Sequence, residues 1–280
     1  MARCGTPALV PGSWRPDLDG ATAMLTPLPV WPHIFLYPLL AAIGLWVGLT
    51  AGVAALNRRG PHAGRIALLL GLPLLALAHH ELWLVRHDMG LAGAYRAFVA
   101  GTLIWAWHEL AFYSGVLTGP WRAPCPTGAR GVFRFGYALG THLHHEIAVA
   151  AELILLAWLL HDARNLLGPL VIMLSWALQH SAKLNVLLGV RSLNVELFPP
   201  HLRYLGSFWA CRPPSAFFLP SVSVATLLAI MLWLAAYAHR FEATGPRLAL
   251  LAALISLGAL EHWLLALPPR RVEAPVSEHA

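Results

Sequence analysis

The sequence predicts an all-α protein, a polytopic transmembrane helix bundle of about seven spans, and three observations carry that expectation. Hydrophobic residues fill 58% of the 280 positions and charged residues only 11%, with a mean hydropathy of +0.62, outside the range of ordinary water-soluble domains. Seven apolar stretches, at 31–56, 65–85, 92–118, 136–160, 167–189, 217–238 and 247–267, reach the roughly 20 residues that a helix needs to cross the hydrocarbon core. All but one of the 19 cations are Arg, and nearly every Arg falls in a short connection between apolar stretches. They therefore report topology rather than a nucleic-acid surface, and no nucleic-acid partner is expected.

Taken in chain order, residues 1–27 hold Pro, Gly and Asp with no basic segment leading into an apolar one. They do not read as a cleavable signal peptide but as a disordered lead, with Met24 as an alternative start. Residues 28–268 form the transmembrane domain and 269–280 a cytoplasmic tail. The longest connections, 119–135 and 190–216, are rich in Pro, Gly and Arg, as membrane-surface loops should be. Arg58, Arg59, Arg65, Arg122, Arg130, Arg134, Arg191, Arg203, Arg212, Arg270 and Arg271 fall on one side of the seven-span map. The positive-inside rule makes that side cytoplasmic, which gives an N-out/C-in protein of the bacterial inner membrane. Cys4, Cys125 and Cys211 are odd in number and widely spaced, so they imply neither a disulfide framework nor a metal site.

Five acids, Glu81, Glu109, Glu146, Glu152 and Glu261, lie inside the predicted spans, where a charged group costs about 2.5–3.5 kcal/mol at the helix centre. Their neighbours are equally polar: His108 beside Glu109, His142 and His145 before Glu146, His180 before Lys183, His262 after Glu261. The assigned orientation places all of these in the cytoplasmic half of the bilayer. His79, His80 and Glu81 fall nearer the other face, as a separate site or an interfacial feature. Helical periodicity sets His142, His145, Glu146 and Glu152 on one stripe with His144 elsewhere, sets Trp176, His180 and Lys183 on another flanked by Gln179, and gives Trp105, His108, Glu109 and Phe112 a shared face. The sixth span is almost wholly apolar and is expected to face lipid.

This constellation admits three readings. The polar groups can simply hold helices together through pairs such as Lys183 with Glu146 or Glu109. They can bind a metal, iron or zinc, with Glu109, His145, Glu146, Glu261 and His262 as candidate ligands. Or they can form a pocket for a lipid-soluble porphyrin-like or quinone-like molecule, with His as axial ligand or hydrogen-bond donor and Trp as flat walls. Asn194, Glu196 and His201 in the next loop continue the polar series and can fold back over the cluster.

Several phrases, in order, resemble the PuhE-type photosynthetic complex assembly family of purple phototrophic bacteria: Glu109 to Pro120, His145-Glu146, Ser181 to Asn185 with Gly189-Val190, Asn194 to Glu196, and Glu261-His262-Trp263. The likeness runs over roughly residues 30–268. It implies an integral membrane protein that assists assembly of the reaction centre and light-harvesting complexes or the supply of their bacteriochlorophyll; it brings no reaction with it. Under that implication Glu109, His145, Glu146, Trp176, Lys183, Asn185, Asn194, Glu196, Glu261, His262 and Trp263 are the cofactor-binding candidates for bacteriochlorophyll or a precursor. His145 or His262 would be the axial ligand, Lys183 would offset the carboxylates or hold a propionate, and Trp176 and Trp263 would line the cavity. His108 and His142 depart from the family's phrases and take no role from it. A membrane metalloenzyme acting on a lipid-soluble substrate and a non-catalytic helix-packing scaffold are the alternatives. The partners expected are membrane lipid and the photosynthetic subunits or their pigments.

Overall fold

The computed structural model describes residues 31–191 and 198–267. The lead at 1–27, the start at Met24, the tail at 269–280 and the loop residues Asn194 and Glu196 lie outside the described residues. Every described regular element is helical: α1 (Tyr37–Arg58), entered through a π-turn at Pro32–Leu36, then α2 (Pro61–Leu70), α3 (Leu72–Leu84), α4 (Leu91–Tyr113), α5 (Gly131–Gly140), α6 (Leu143–Leu159), α7 (Leu167–Leu188), a 3-10 helix at Pro200–Phe208, α8 (Phe218–Ala238) and α9 (Thr244–Leu265).

Each of the seven predicted stretches coincides with one helix or with a bent pair. Three helices, Pro32–Arg58, Phe218–Ala238 and Thr244–Leu265, are long and apolar enough to cross a membrane, and five crossings result if each bent pair counts as one. With 23 and 22 residues, α4 and α7 have the length but also carry much of the polar cluster, which lowers their hydropathy.

Both bends have local causes. Between α2 and α3 the axis turns by 41° at Gly71-Leu72-Pro73, because Pro73 lacks an N–H and its ring crowds the carbonyl four residues back. Between α5 and α6 it turns by 66°, because the first amides of α6 do not continue the α5 ladder. His144 and His145 donate their N–H groups to the carbonyl of Thr118, at 3.0 and 3.2 Å. The carbonyl of Gly140 is meanwhile taken by the amide of Trp121 at 3.0 Å.

Contacts at the two ends of the bundle join the helices. At one end Arg164 and Asn165 donate backbone N–H groups to the Arg86 carbonyl at 2.8 Å, and the Asn165 side chain clamps the carbonyls of Val85, Asp88 and Gly93. At the other end the loop after α4 meets the start of α6, and the 3-10 helix is tied to the end of α4 by His201 and the Tyr113 carbonyl, 2.9 Å apart. In the middle, α4 packs against α3, α6, α7 and α9. α4 crosses α7 so closely that a Cβ on Gly101 would stand 2.6 Å from the carbonyl oxygen of Gly168, the close approach that small residues allow between membrane helices. Large apolar side chains such as Leu70, Val132, Ile154, Leu219, Val224 and Met231 point outward, which suits a hydrocarbon solvent and would be costly in water.

Candidate functional site

The helix α6 organises the site, because it carries two buried carboxylates that turn to different neighbouring helices. Glu146 lies in its first turn, and Glu152 follows about 9 Å further along the axis, at six residues of 1.5 Å rise each.

Around Glu146 the predicted stripe of α7 converges whole. Lys183 donates to Oε1 at 2.9 Å, the indole N–H of Trp176 donates to Oε2 at 2.6 Å, and Nε2 of His180 stands 2.9 Å from the same oxygen. His142, placed at the break before α6, approaches to 3.6 Å. Lys183 also stands over the ring of Phe112, 5.7 Å from its centroid. One charge is thus met by a full cation and an N–H donor, which suffices to hold a carboxylate away from water.

Glu152 is met only by imidazoles. Nε2 of His79 is 2.6 Å from Oε1, and Nε2 of His108 is 3.4 Å from Oε2. His79, read from sequence as part of a separate feature near the opposite face, therefore joins the cluster. Its neighbours do not follow it. His80 and Glu81 line a largely apolar groove of about 430 Å³ between α3 and α4, where Glu81 pairs with Arg96. Groups read from sequence as one layer meet at Glu146 and at Glu109; His79 and Glu152 extend that cluster along the helix axes, and residues adjacent on α3 turn to opposite sides of it.

His145 sits between the two carboxylates. It is fully buried, with Trp105, Phe112 and His108 edge-on to its ring at centroid distances of 6.3, 5.3 and 6.4 Å. Its Nε2 is 3.5 Å from Oε1 of Glu109, whose hydrogen bond comes from Gln179 at 2.7 Å. Neither ring nitrogen of His145 has a hydrogen-bond partner, and Nδ1 of His108 has none either. Buried polar atoms of that kind are rare and call for a reason.

The remaining candidates lie on other faces. The side-chain nitrogen of Asn185 donates to the Ser181 carbonyl and the Ser221 hydroxyl, both at 2.9 Å. His262 donates from Nδ1 to the Gly258 carbonyl at 2.7 Å and receives the Ser181 hydroxyl at Nε2, 2.9 Å away. Trp263 is half-exposed and reaches toward Thr226, away from any shared cavity. Glu261 is exposed on α9 beside Trp46, within electrostatic reach of Glu109. The sixth predicted span, α8, is exposed over much of its surface but supplies Ser221 and Thr226 as polar anchors.

Among the described residues no three His, Cys, Asp or Glu side chains converge as metal ligands, so the iron or zinc set of Glu109, His145, Glu146, Glu261 and His262 does not assemble. For an axial bond to a tetrapyrrole, His262 has neither nitrogen free. His145 has no hydrogen bond at either nitrogen and is fully buried among Trp105, Phe112 and His108. Glu152, His79, His108 and His180 were missing from the predicted site set although all four belong to the network. Glu152 was legible from its stripe with His145; His79 was not, since nothing in its local spacing tells which of two adjacent histidines turns inward.

The match to known proteins follows the same segment. The family model described as a protein of unknown function, DUF3623, matches residues 33–273. A 30.4 kDa protein in the puhA 5′ region of Rhodobacter capsulatus is 34% identical over 234 residues, covering 82% of this chain and 85% of that one. No solved structure matches. That location agrees with the PuhE-type resemblance carried by the ordered phrases from Glu109 to Trp263, and with a family match that takes in both carboxylates of α6 and their partners, the chain belongs to the DUF3623 family.

Proposed function

We propose that this chain is a multi-pass inner-membrane protein of the photosynthetic apparatus, assisting assembly of the reaction-centre and light-harvesting complexes or the supply of their bacteriochlorophyll. The observation that carries the proposal is the relative in the puhA 5′ region, puhA being a photosynthesis gene. Within the bundle, the unpartnered nitrogens of His145 support binding of a bacteriochlorophyll-type tetrapyrrole or precursor, with the imidazole edge donating a hydrogen bond to a peripheral carbonyl. Deletion of the gene, followed by absorption spectroscopy of membranes, tests the first statement: reaction-centre and light-harvesting bands should fall, and wild-type bands would overturn it. Absorption of the purified protein tests the second. A co-purifying tetrapyrrole band that disappears in His145→Leu is expected, and a colourless wild-type protein would refute pigment binding.

A further inference from the structure

The groove between α3 and α4 lies on the outside of the bundle and is amphipathic along its length. Leu74, Leu77, Val99 and Leu103 form its walls, and the first three are exposed, so it opens toward the hydrocarbon rather than toward water. Its floor is recessed, because Ala78 and Ala100 are buried and carry no atoms beyond Cβ. Glu81 and Arg96 face each other at one end. From each of them seven residues, to Leu74 on one helix and to Leu103 on the other, give an apolar run of about 10 Å. That is roughly two-thirds of the half-thickness of a bilayer's hydrocarbon core.

The charged end sits where hydrocarbon gives way to headgroups. Glu81 is one turn from the end of α3 at Leu84, and Arg96 little more than one turn from the start of α4 at Leu91. Beside them Trp83 is exposed, stacked on His80 with centroids 6.1 Å apart and lying 4.3 Å under the Arg86 guanidinium, the kind of ring that marks the interface. Nε of Arg96 donates to Oε1 of Glu81, and the two side chains keep 47% and 32% of their surface open. Among the described residues the terminal NH2 groups of Arg96 and Oε2 of Glu81 hold no protein hydrogen bond. The end of the groove thus offers N–H donors and a carboxylate oxygen side by side, with no net charge.

We propose that the groove holds one zwitterionic phospholipid whose headgroup ends in a primary ammonium, as in phosphatidylethanolamine. Its phosphate lies on Arg96, its ammonium on Glu81, and the upper part of one acyl chain over Ala78 and Ala100. Charge complementarity selects the head. A guanidinium is suited to phosphate oxygens, and an ammonium supplies N–H donors to a carboxylate. An anionic glycerol head matches Arg96 but brings a like charge up to Glu81. A choline head is zwitterionic yet has no N–H to give to Oε2. The site goes beyond the lipid contact common to all membrane helices, since it discriminates between headgroups, and it stands apart from the pigment reading at His145.

The test is native mass spectrometry of the purified full-length protein, equilibrated in mixed micelles with equal amounts of phosphatidylethanolamine, phosphatidylcholine and phosphatidylglycerol of identical acyl chains. The wild type should retain one phospholipid, phosphatidylethanolamine over each of the others by about tenfold, the worth of one hydrogen bond to a charged group. Glu81→Gln leaves Arg96 unopposed and should turn the preference to phosphatidylglycerol. Arg96→Gln should lose the retained lipid, and Arg203→Gln, exposed at the opposite end of the bundle, should behave as wild type. Exposed ion pairs add little to stability, so these variants should keep wild-type helical circular dichroism; should Glu81→Gln not, Glu81→Asp, which withdraws the carboxylate, takes its place and should lose the preference for phosphatidylethanolamine. A wild type that retains no phospholipid, holds the three alike or favours phosphatidylglycerol overturns the site, as does a folded Glu81 variant with the wild-type preference. None of these results bears on the deletion or pigment experiments above.

Discussion

The two carboxylates of α6 share a helix but differ in company, and the difference separates two ways of keeping a charge inside a membrane. Glu146 meets a permanent cation and an indole N–H, so its compensation survives whatever the histidines do. Glu152 meets only His79 and His108, so its compensation depends on where protons sit. The first arrangement fastens α6 to α7; the second ties α6 to α3 and α4 through groups that can exchange what they hold.

Removing the cation should do the most damage. Lys183→Ala leaves Glu146 buried without its cation and should cost about 3–5 kcal/mol, read as loss of folded protein in thermal unfolding of the detergent-solubilised protein. Pairing Lys183→Met with Glu146→Gln should recover much of that loss, since a neutral packed pair replaces a buried ion pair at little cost. A double variant no more stable than Lys183→Ala would show that Glu146 is not held chiefly by its charge. Glu152→Gln removes a charge while keeping shape, and should cost about 1–3 kcal/mol through hydrogen bonds lost at two imidazoles; a larger loss than in Lys183→Ala would reverse the ranking of the two sites.

The smallest effect is expected at the surface pair joining the connection after α3 to that after α6. There Asp162 is opposed by Arg86 at 3.4 Å and by His87 at 3.5 Å. Desolvation raises its carboxyl, but the two basic neighbours outweigh that and hold it below the usual carboxylate range. A carboxyl lowered on folding contributes above its unfolded pKa, and the contribution fades as pH falls through the folded one. Asp162→Asn should therefore shift thermal stability slightly at neutral pH and not at all in strong acid, as exposed pairs do.

Much of this architecture was legible in the residues. Length and apolarity located all seven helical stretches, and periodicity placed Trp176, His180 and Lys183 on one face, where each meets Glu146. The bends were less legible: Pro73 announces its own, but the turn before α6 depends on a carbonyl 26 residues upstream of His144, which no local pattern encodes. Depth was the coarser guide. Counting from span ends put Glu261 and His262 at the height of Glu109; Glu261 lies within electrostatic reach of Glu109, whereas rotation about α9 turns His262 to Ser181. Span position fixes height alone; facing is settled by helix contacts such as Gly101 against Gly168 and Gly258 against Leu178, which are tertiary facts.

The carbonyl of Thr118 that receives two amides of α6 also bears on biogenesis. The first turn of α6, and with it the position of Glu146, is completed by a group from the loop after α4 rather than by α5. That turn therefore cannot close until the Thr118 carbonyl is in place, which makes the loop after α4 a precondition for the geometry around Glu146.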